Sequence, residues 1–524
     1  MPKRILCLVL FSPLLALLAA GVLLDGWPAR AQGAVTQGAP LSPRFKAWEA
    51  SHEPRGVHGP AGGGREGGMR IRGYIPPPID LSHVHGPIFT QGAGGLPYPP
   101  YFNLEATGML TPVKDQGEYG TCWTFACMGS LESSMLKAGT GAFDLSEWHL
   151  AYYAYVPFNT SLLTSFTPGP TQYGDDPIFD QGGNDWMSTA LLARGTGAVN
   201  EKDCPYQLGG YIAKPIPAGN LPNGKERVSV PLEDALYLFA VDAPTSESDL
   251  KYSLTHFGPA VISMDWEDPN FGETYSTYRD TTASAADLNH EVCIVGWNDH
   301  FEPCQFPADN RPATPGAWIV RNSWSRYWGN GGYFYLSYDS KVFDGTVFQG
   351  GPRTSHRVYQ YDPLGWVNSI GLGSDSAVCA NIFHAQDQDW ITAVSFYTGA
   401  VDTMFEVDVR TGVTGGDPGS GVSATPAGLP PQMGTLLAPG YHIITLANPT
   451  TVAKGSDFSV LLRLTTPGYP YPIPVQESEP GYSDRSAVQQ GRSFISADGA
   501  TWQDLAPDCQ GAVACVKAFA EKGD

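Results

Sequence analysis

Basic residues are scarce in this 524-residue chain: Lys and Arg number 31 against 52 Asp and Glu, for a formal net charge of −21, and nowhere do they form a run. A nucleic-acid groove must offset phosphate charge with clustered basic side chains, so no nucleic acid is expected as a partner. Cys-x-x-C pairs and His clusters at zinc spacing are missing, which leaves a structural metal site without support. Asp387 and Asp389 are too few oxygens for calcium, and no cofactor is expected. Charged residues are only 16% of the chain while glycines number 61 and prolines 45, a balance that excludes a coiled coil or a disordered polyelectrolyte and suits a loop-rich globular protein. Past the amino terminus no segment has the length and apolar purity of a membrane span.

What is there begins at that terminus. Met1 to Arg4 carries two positive charges, Ile5 to Leu24 is almost unbroken apolar sequence, and Ala29-Arg30-Ala31 has the small-x-small form that signal peptidase reads. Residues 1–31 are therefore expected to be a signal peptide, and the protein secreted, periplasmic or on the cell surface. The run is also long enough to stay as an uncleaved anchor. Residues 32–95 are rich in Gly, Pro, Arg and His without sustained periodicity, and are expected to be a linker or short pro-segment.

Export makes cysteine pairing relevant. Cys7 would leave with the signal, and if Cys122 stays a thiol an odd number remains. Cys509 and Cys515, close together in one terminal segment, are the expected bridge.

From about residue 96 to 345 helical patterns come first and strand patterns follow. Cys127, Met128, Leu131 and Met135 recur on one face, predicting a helix over Cys122 to Lys137 that stops at Gly139. Further helices are expected near Ser146 and over Asp185 to Arg194. The stretches AVISM, EVCIVGW, AWIVRN and YFYLSY read as strands. Two segregated halves with a cleft between them follow. From about 352 to 520 helical periodicity is gone. FEVDVR and FSVLLRL alternate, and SFISADGATW holds an Asp498-Gly499 turn, predicting a β-sandwich.

The stretch VKDQGEYGTCW places Cys122 at a helix amino terminus, where the partial positive charge and open N–H groups favour a thiolate. A nucleophilic thiolate needs an imidazole to exchange protons and a group to orient that ring. His290, in LNHEVCIVGW, is expected to open a buried strand and Asn322, in IVRNSWSRYWGNGGY, to end the next one, an arrangement in which two neighbouring strands bring both side chains to the cleft wall facing the helix. Gln116 and the Cys122 backbone N–H are candidate donors to an oxyanion.

Those three segments, in the order Cys, His, Asn, resemble the signature regions of papain-like (C1 family) cysteine peptidases of bacterial type. The resemblance implies an α+β fold, a two-subdomain peptidase with a helical half and a β-barrel-like half followed by an all-β sandwich domain. It implies Gln116 as oxyanion donor, Cys122 as nucleophile, His290 as base and acid, and Asn322 as the orienting amide, with Trp324 shielding the Asn–His bond. DLSEWHL resembles the family's LSE segment, and QGGND its substrate-backbone strip at Gly182 and Gly183. The interval from Cys122 to His290 exceeds the about 130–150 residues usual in the family, so insertions are expected at 157–180 and 300–315. Tyr119 stands where typical members carry a cysteine bridged to one just before the Gly-Gly strip, where this chain has Asp180. Both ends of that bridge are missing together, and Tyr119 is expected to fill the space by packing. Ser325 replaces the glycine common after Asn-Ser-Trp.

The C-terminal stretches VYQYDPLGW, AVSFYTG, LTTPGYPYPIPV and SFISADGATW resemble the lectin-like domain that follows the peptidase in certain bacterial C1 proteins. That likeness implies a glycan or cell-surface ligand only by analogy. Trp366, Tyr469, Tyr471 and Trp502 are either a sugar-stacking surface or core aromatics. The resulting expectation is an exported cysteine endopeptidase acting on protein or peptide substrates through an acyl-enzyme thioester. A surface adhesin or glycan-binding protein with a weak or silent peptidase is the alternative. Acyl transfer in place of hydrolysis would use the same thioester.

Overall fold

The computed structural model describes residues 35–51, 73–84, 87–89, 98–158, 165–166, 178–207, 221–238, 247–284, 287–352, 355–487, 489–509 and 511–523. The expected signal peptide lies outside them, as does most of the expected insertion at 157–180. No helix among the described residues is long and apolar enough to cross a membrane.

The first half is built around the helix Cys122–Lys137, whose residues Cys127, Met128 and Leu131 are fully buried. The helices Glu147–Tyr155 and Asp185–Ala193 pack beside it. Each begins on a side-chain cap, with the Ser146 hydroxyl accepting from the His149 N–H and the Asn184 amide oxygen from the Met187 N–H. Such caps satisfy backbone donors that the first turn leaves open. The strands Ala260–Met264, His290–Asn298, Ala317–Arg321 and Tyr333–Ser337 then pair in that order, all antiparallel. Their faces are apolar on both sides because the cysteine helix covers one and the helix Glu247–His256 the other end of the sheet, consistent with nearly continuous hydrophobic strands.

The second half is a sandwich. One sheet carries Thr403–Val413, Asp457–Thr465, Ser376–His384 and Ser493–Ser496 in that order. Its alternating residues Phe405, Val407 and Val409, and Phe458, Val460, Leu462 and Leu464, all point into one core. The facing strands Val516–Lys522, Asp389–Thr398 and Gly440–Val452 belong to a thirteen-stranded sheet that continues through Leu232–Tyr237 and Phe343–Gly350 into the strands of the first half. The seam is the antiparallel pairing of Tyr441 with Ala235 and of His442 with Asp234. The sandwich is thus joined to the first half by shared backbone hydrogen bonds as well as by the chain.

Trp366 fills this junction. It is 2% exposed, its indole N–H donates to the Ser369 hydroxyl at 3.0 Å, and its ring lies 6.0 Å from that of Tyr397 and 6.2 Å from that of Tyr237. Trp366→Ala is expected to destabilise the protein by about 3–5 kcal/mol. Denaturant unfolding followed by a probe in each half should show both midpoints falling together; a shift confined to the sandwich would contradict a shared core.

The segment before residue 95 has structure that its composition does not announce. Residues 37–38 pair with 370–371 of the sandwich, Pro43–Ser51 is a helix, and residues 73–79 are buried throughout. His83 stacks on Tyr469 at 3.8 Å and bonds the Gly399 carbonyl at 2.6 Å. The Asp249 carboxylate accepts from the N–H groups of Ile88 and Phe89. The segment thus touches the sandwich through residues 37–38 and His83, and the first half through residues 73–75 and 88–89.

The expected bridge between Cys509 and Cys515 is not formed, and Cys515 is a buried thiol. The two side chains face different interiors: Cys515 packs into the core shared by both halves, Cys509 against the core of the sandwich.

Candidate active site

The loop that leads to Cys122 is anchored by charge. Lys114 Nζ lies 2.9 Å from each of the Glu132, Asp144 and Glu147 carboxylates and donates to the Leu145 carbonyl at 2.8 Å. Gln116 follows, fully buried. Its backbone N–H donates to the Ser323 carbonyl, its amide oxygen accepts from the Ser323 hydroxyl at 2.6 Å, and its amide nitrogen donates to the Tyr119 carbonyl at 2.8 Å. The loop of Gln116 is therefore fixed to the turn that carries Asn322 and Trp324. Tyr119 packs edge-on against Trp148, Phe179 and Tyr206, and the Gly120 N–H donates to Asp180 at 3.3 Å. Aromatic packing and one hydrogen bond occupy the place of the missing bridge.

Cys122 is the first residue of its helix and has no exposed surface. Burial, then the nearby Glu291 carboxylate, pushes its thiol up to about 12, against backbone N–H groups of Glu291, Gly73 and Trp123 that pull it down. The helix amino terminus does not outweigh loss of water here, so the sulfur is protonated in this state.

His290 opens its strand and Asn322 follows the end of the next. His290 Nε2 donates to Asn322 Oδ1 at 3.0 Å, and the same oxygen accepts from the Ser323 N–H at 2.8 Å, which fixes the amide. The Trp324 ring stacks on the imidazole with centroids 4.8 Å apart and planes 22° from parallel. Trp266 stands edge-on to both rings, with its centroid 6.2 Å from that of His290 and 4.8 Å from that of Trp324, an aromatic wall that the sequence pattern did not single out. Ser325 adopts φ 74°, a left-handed conformation that favours glycine, which accounts for the glycine usual at that place.

The chain's own residues 73–75 lie along Gly182 and Gly183. The Gly183 N–H donates to the Gly73 carbonyl and the Gly183 carbonyl accepts from the Ile75 N–H, both at 2.9 Å, in a parallel pairing. Close approach requires glycine on each side. A Cβ at residue 73 would sit 1.9 Å from the Gly120 carbonyl oxygen, and one at 183 would sit 2.4 Å from the Trp123 ring. Asn184 adds a bond from its amide to the Ile75 carbonyl at 2.9 Å.

Three buried carboxylates also escaped the sequence reading, Asp185, Asp344 and Glu291, the last of them beside the thiol. Two of them directly follow residues that were singled out or that cap a helix, His290 and Asn184, but only the fold brings Asp344 to them. Trp366 and Tyr469 are buried and Tyr471 and Trp502 half-buried, and Trp366 belongs to the junction core. Among the described residues no cluster of His, Cys, Asp and Glu could hold a metal ion.

Comparison with known proteins fits this arrangement. Residues 98–160 and 171–346 match the family model for papain family cysteine proteases, and residues 358–520 match that for the lectin-like domain. Rat procathepsin L is 27% identical over 259 residues, covering 49% of this chain and 65% of the relative, and human cathepsin L2 is 27% identical over 246 residues, covering 47% and 62%. The chain thus spans a little under two thirds of the length of these curated relatives. Among solved structures, the cysteine protease and lectin-like domains of Cwp84, a surface layer associated protein of Clostridium difficile, superpose with a TM-score of 0.73 at 20% identity, covering 94% of this chain and 100% of that one. A second Cwp84 structure, obtained after propeptide cleavage, covers 81% of this chain with a TM-score of 0.64 at 22% identity.

Proposed function

The chain carries a papain-family cysteine protease domain followed by a lectin-like domain, and on that premise we propose that it is an exported cysteine endopeptidase, made latent by its own residues 32–95. The observation that carries the catalytic reading is the His290 Nε2 to Asn322 Oδ1 bond of 3.0 Å beneath the Trp324 ring, on strands packed against the helix that begins with Cys122. With Nε2 committed to the amide, proton exchange with the sulfur falls to Nδ1. In the open enzyme His290 takes the Cys122 proton, the thiolate attacks the scissile carbonyl, and the imidazolium returns a proton to the leaving amine. The oxyanion is received by the Cys122 N–H and the Gln116 amide, which turns from the Tyr119 carbonyl. Water then resolves the thioester. Gly183 pairs with the substrate backbone.

Latency is supported by residues 73–75, which lie over Cys122 and use the hydrogen-bonding edge of Gly183. The Gly73 carbonyl is engaged by Gly183 and not by the oxyanion donors, so this peptide bond is not presented for cleavage. The similarity to a protein described as surface layer associated supports a cell-surface location, with the lectin-like domain as the part that meets a surface or glycan.

The test is covalent labelling. An epoxide thiol inhibitor is expected to modify Cys122 of the chain freed of residues 32–95, and to abolish hydrolysis of a casein or fluorogenic peptide substrate. A glycan array that lights up while neither labelling nor hydrolysis is found would favour the adhesin reading.

A further inference from the structure

Asp185, Glu291 and Asp344 come from three elements: the start of the helix Asp185–Ala193, the strand His290–Asn298 and the strand Phe343–Gly350. Each is at most 2% exposed. Asp185 accepts from the Thr346 hydroxyl, and the Asp185 backbone N–H faces the Glu291 carboxylate. Asp344 is the one held in an ion pair. Arg44 grips it with two N–H groups at 2.8 and 3.1 Å, and the Tyr74 hydroxyl donates to it at 2.7 Å. Arg44 also faces Asp185 and Glu291.

Both Arg44 and Tyr74 belong to the covering segment. Tyr74 is the residue flanked by the two hydrogen bonds to Gly183, and its side chain runs from that pairing to Asp344. A residue held at the same place on Gly183 would direct its side chain to the same carboxylates. When the segment leaves, its cation leaves with it, and three acidic groups line a pocket built for a positive charge. Burial, followed by Asp185 and Asp344, holds the Glu291 carboxyl well above its usual range, a sign of how poorly the cluster is compensated.

We propose that Asp185, Glu291 and Asp344 form an acidic pocket that receives a cationic side chain, arginine ahead of lysine, from the substrate residue that pairs with Gly183. Arginine leads because a planar guanidinium meets a carboxylate with two parallel bonds, as Arg44 does here. The segment occupies this pocket as an internal stand-in for that ligand. The inference rests on the peptidase reading and names what its cleft selects.

The experiment uses the full chain, folded intact, cut at a protease site engineered into 91–95 and separated from its N-terminal segment. A positional-scanning library of fluorogenic peptides should show one position at which Arg exceeds Leu in kcat/KM by at least about tenfold. Asp344→Asn and Glu291→Gln should each pull that Arg-to-Leu ratio toward one, and added salt should lower it in the unmutated enzyme even if a variant fails to fold. Efficient cleavage with no position favouring Arg, or with Leu favoured at every position, would overturn the pocket and leave the peptidase reading standing. If no peptide is cleaved, the peptidase reading fails, and calorimetry with the processed Cys122→Ala chain decides the pocket alone. Arg peptides binding at least about tenfold tighter than Leu peptides would support it, and equal affinity would overturn it.

Discussion

Release of residues 32–95 is expected to speed alkylation of Cys122 by iodoacetamide at pH 7 by at least about a thousandfold. Two effects act together. In the intact chain burial pushes the thiol up to about 12, so only about one sulfur in 10⁵ is a thiolate at neutral pH. The residue also has no exposed surface, and the Gly73 backbone lies against it. With the segment gone, water and the imidazole reach the sulfur, and a thiolate fraction of a few per cent or more is ordinary even without further help. Mass spectrometry of the peptide containing Cys122 follows the rate, with exposed Cys304 as an internal reference that should react alike in both forms. An unchanged Cys122 rate would mean that the segment does not close the site.

The pH dependence has a definite sign. Closure of the cleft buries Asp185, whose carboxyl is pushed up to about 8 by burial and then by Asp344, and Glu291, raised chiefly by burial. Groups with a raised folded-state value hold protons that the opened, solvated state gives up, so their contribution to closure is fully present below the ordinary carboxylate range and is lost as pH climbs through about 8. Between about pH 5 and 8 the intact chain should therefore loosen with rising pH. Its Cys122 alkylation rate should climb more steeply than the titration of one thiol allows.

Much of this was legible in the sequence, and what was not has a common cause. The helix Cys122–Lys137 and the strand Ala260–Met264 coincide with the stretches read from apolar spacing, because each buries a face of its own. The sandwich strands alternate for the same reason. The packing of Tyr119 in place of a bridge followed from the paired absence of its partner cysteine. Residues 73–79 gave no signal, since GYIPPPI has no periodicity and takes its hydrogen bonds and burial from Gly183, Asn184 and Asp344. The seam between Tyr441 and Ala235 joins strands more than two hundred residues apart, and no local pattern reports such a pairing. Cys509 and Cys515 illustrate the converse, where nearness in sequence suggested a bond but the two residues pack against different cores. The acidic pocket required three distant carboxylates to be seen together.

His290→Ala is expected to lower kcat/KM of the opened enzyme by at least about 10⁴, and Asn322→Ala by about 10². The difference follows from what each side chain does. Removing the imidazole leaves the thiol without a proton acceptor and the leaving amine without a donor, so both chemical steps suffer at once. Removing the Asn322 amide frees the ring to turn, yet Trp324 stacked at 4.8 Å and Trp266 edge-on still restrict it. Substrate binding, which the proposal assigns to Gly183 and the neighbouring pocket, should be little altered, placing the loss in kcat and not in KM. Trp324→Ala together with Asn322→Ala should then cost more than the two single effects combined, because each wall limits the damage done by loss of the other. Strict additivity in that cycle would mean that the ring is held by something other than these two contacts, and equal losses for His290→Ala and Asn322→Ala would mean that the amide takes a direct part in proton transfer.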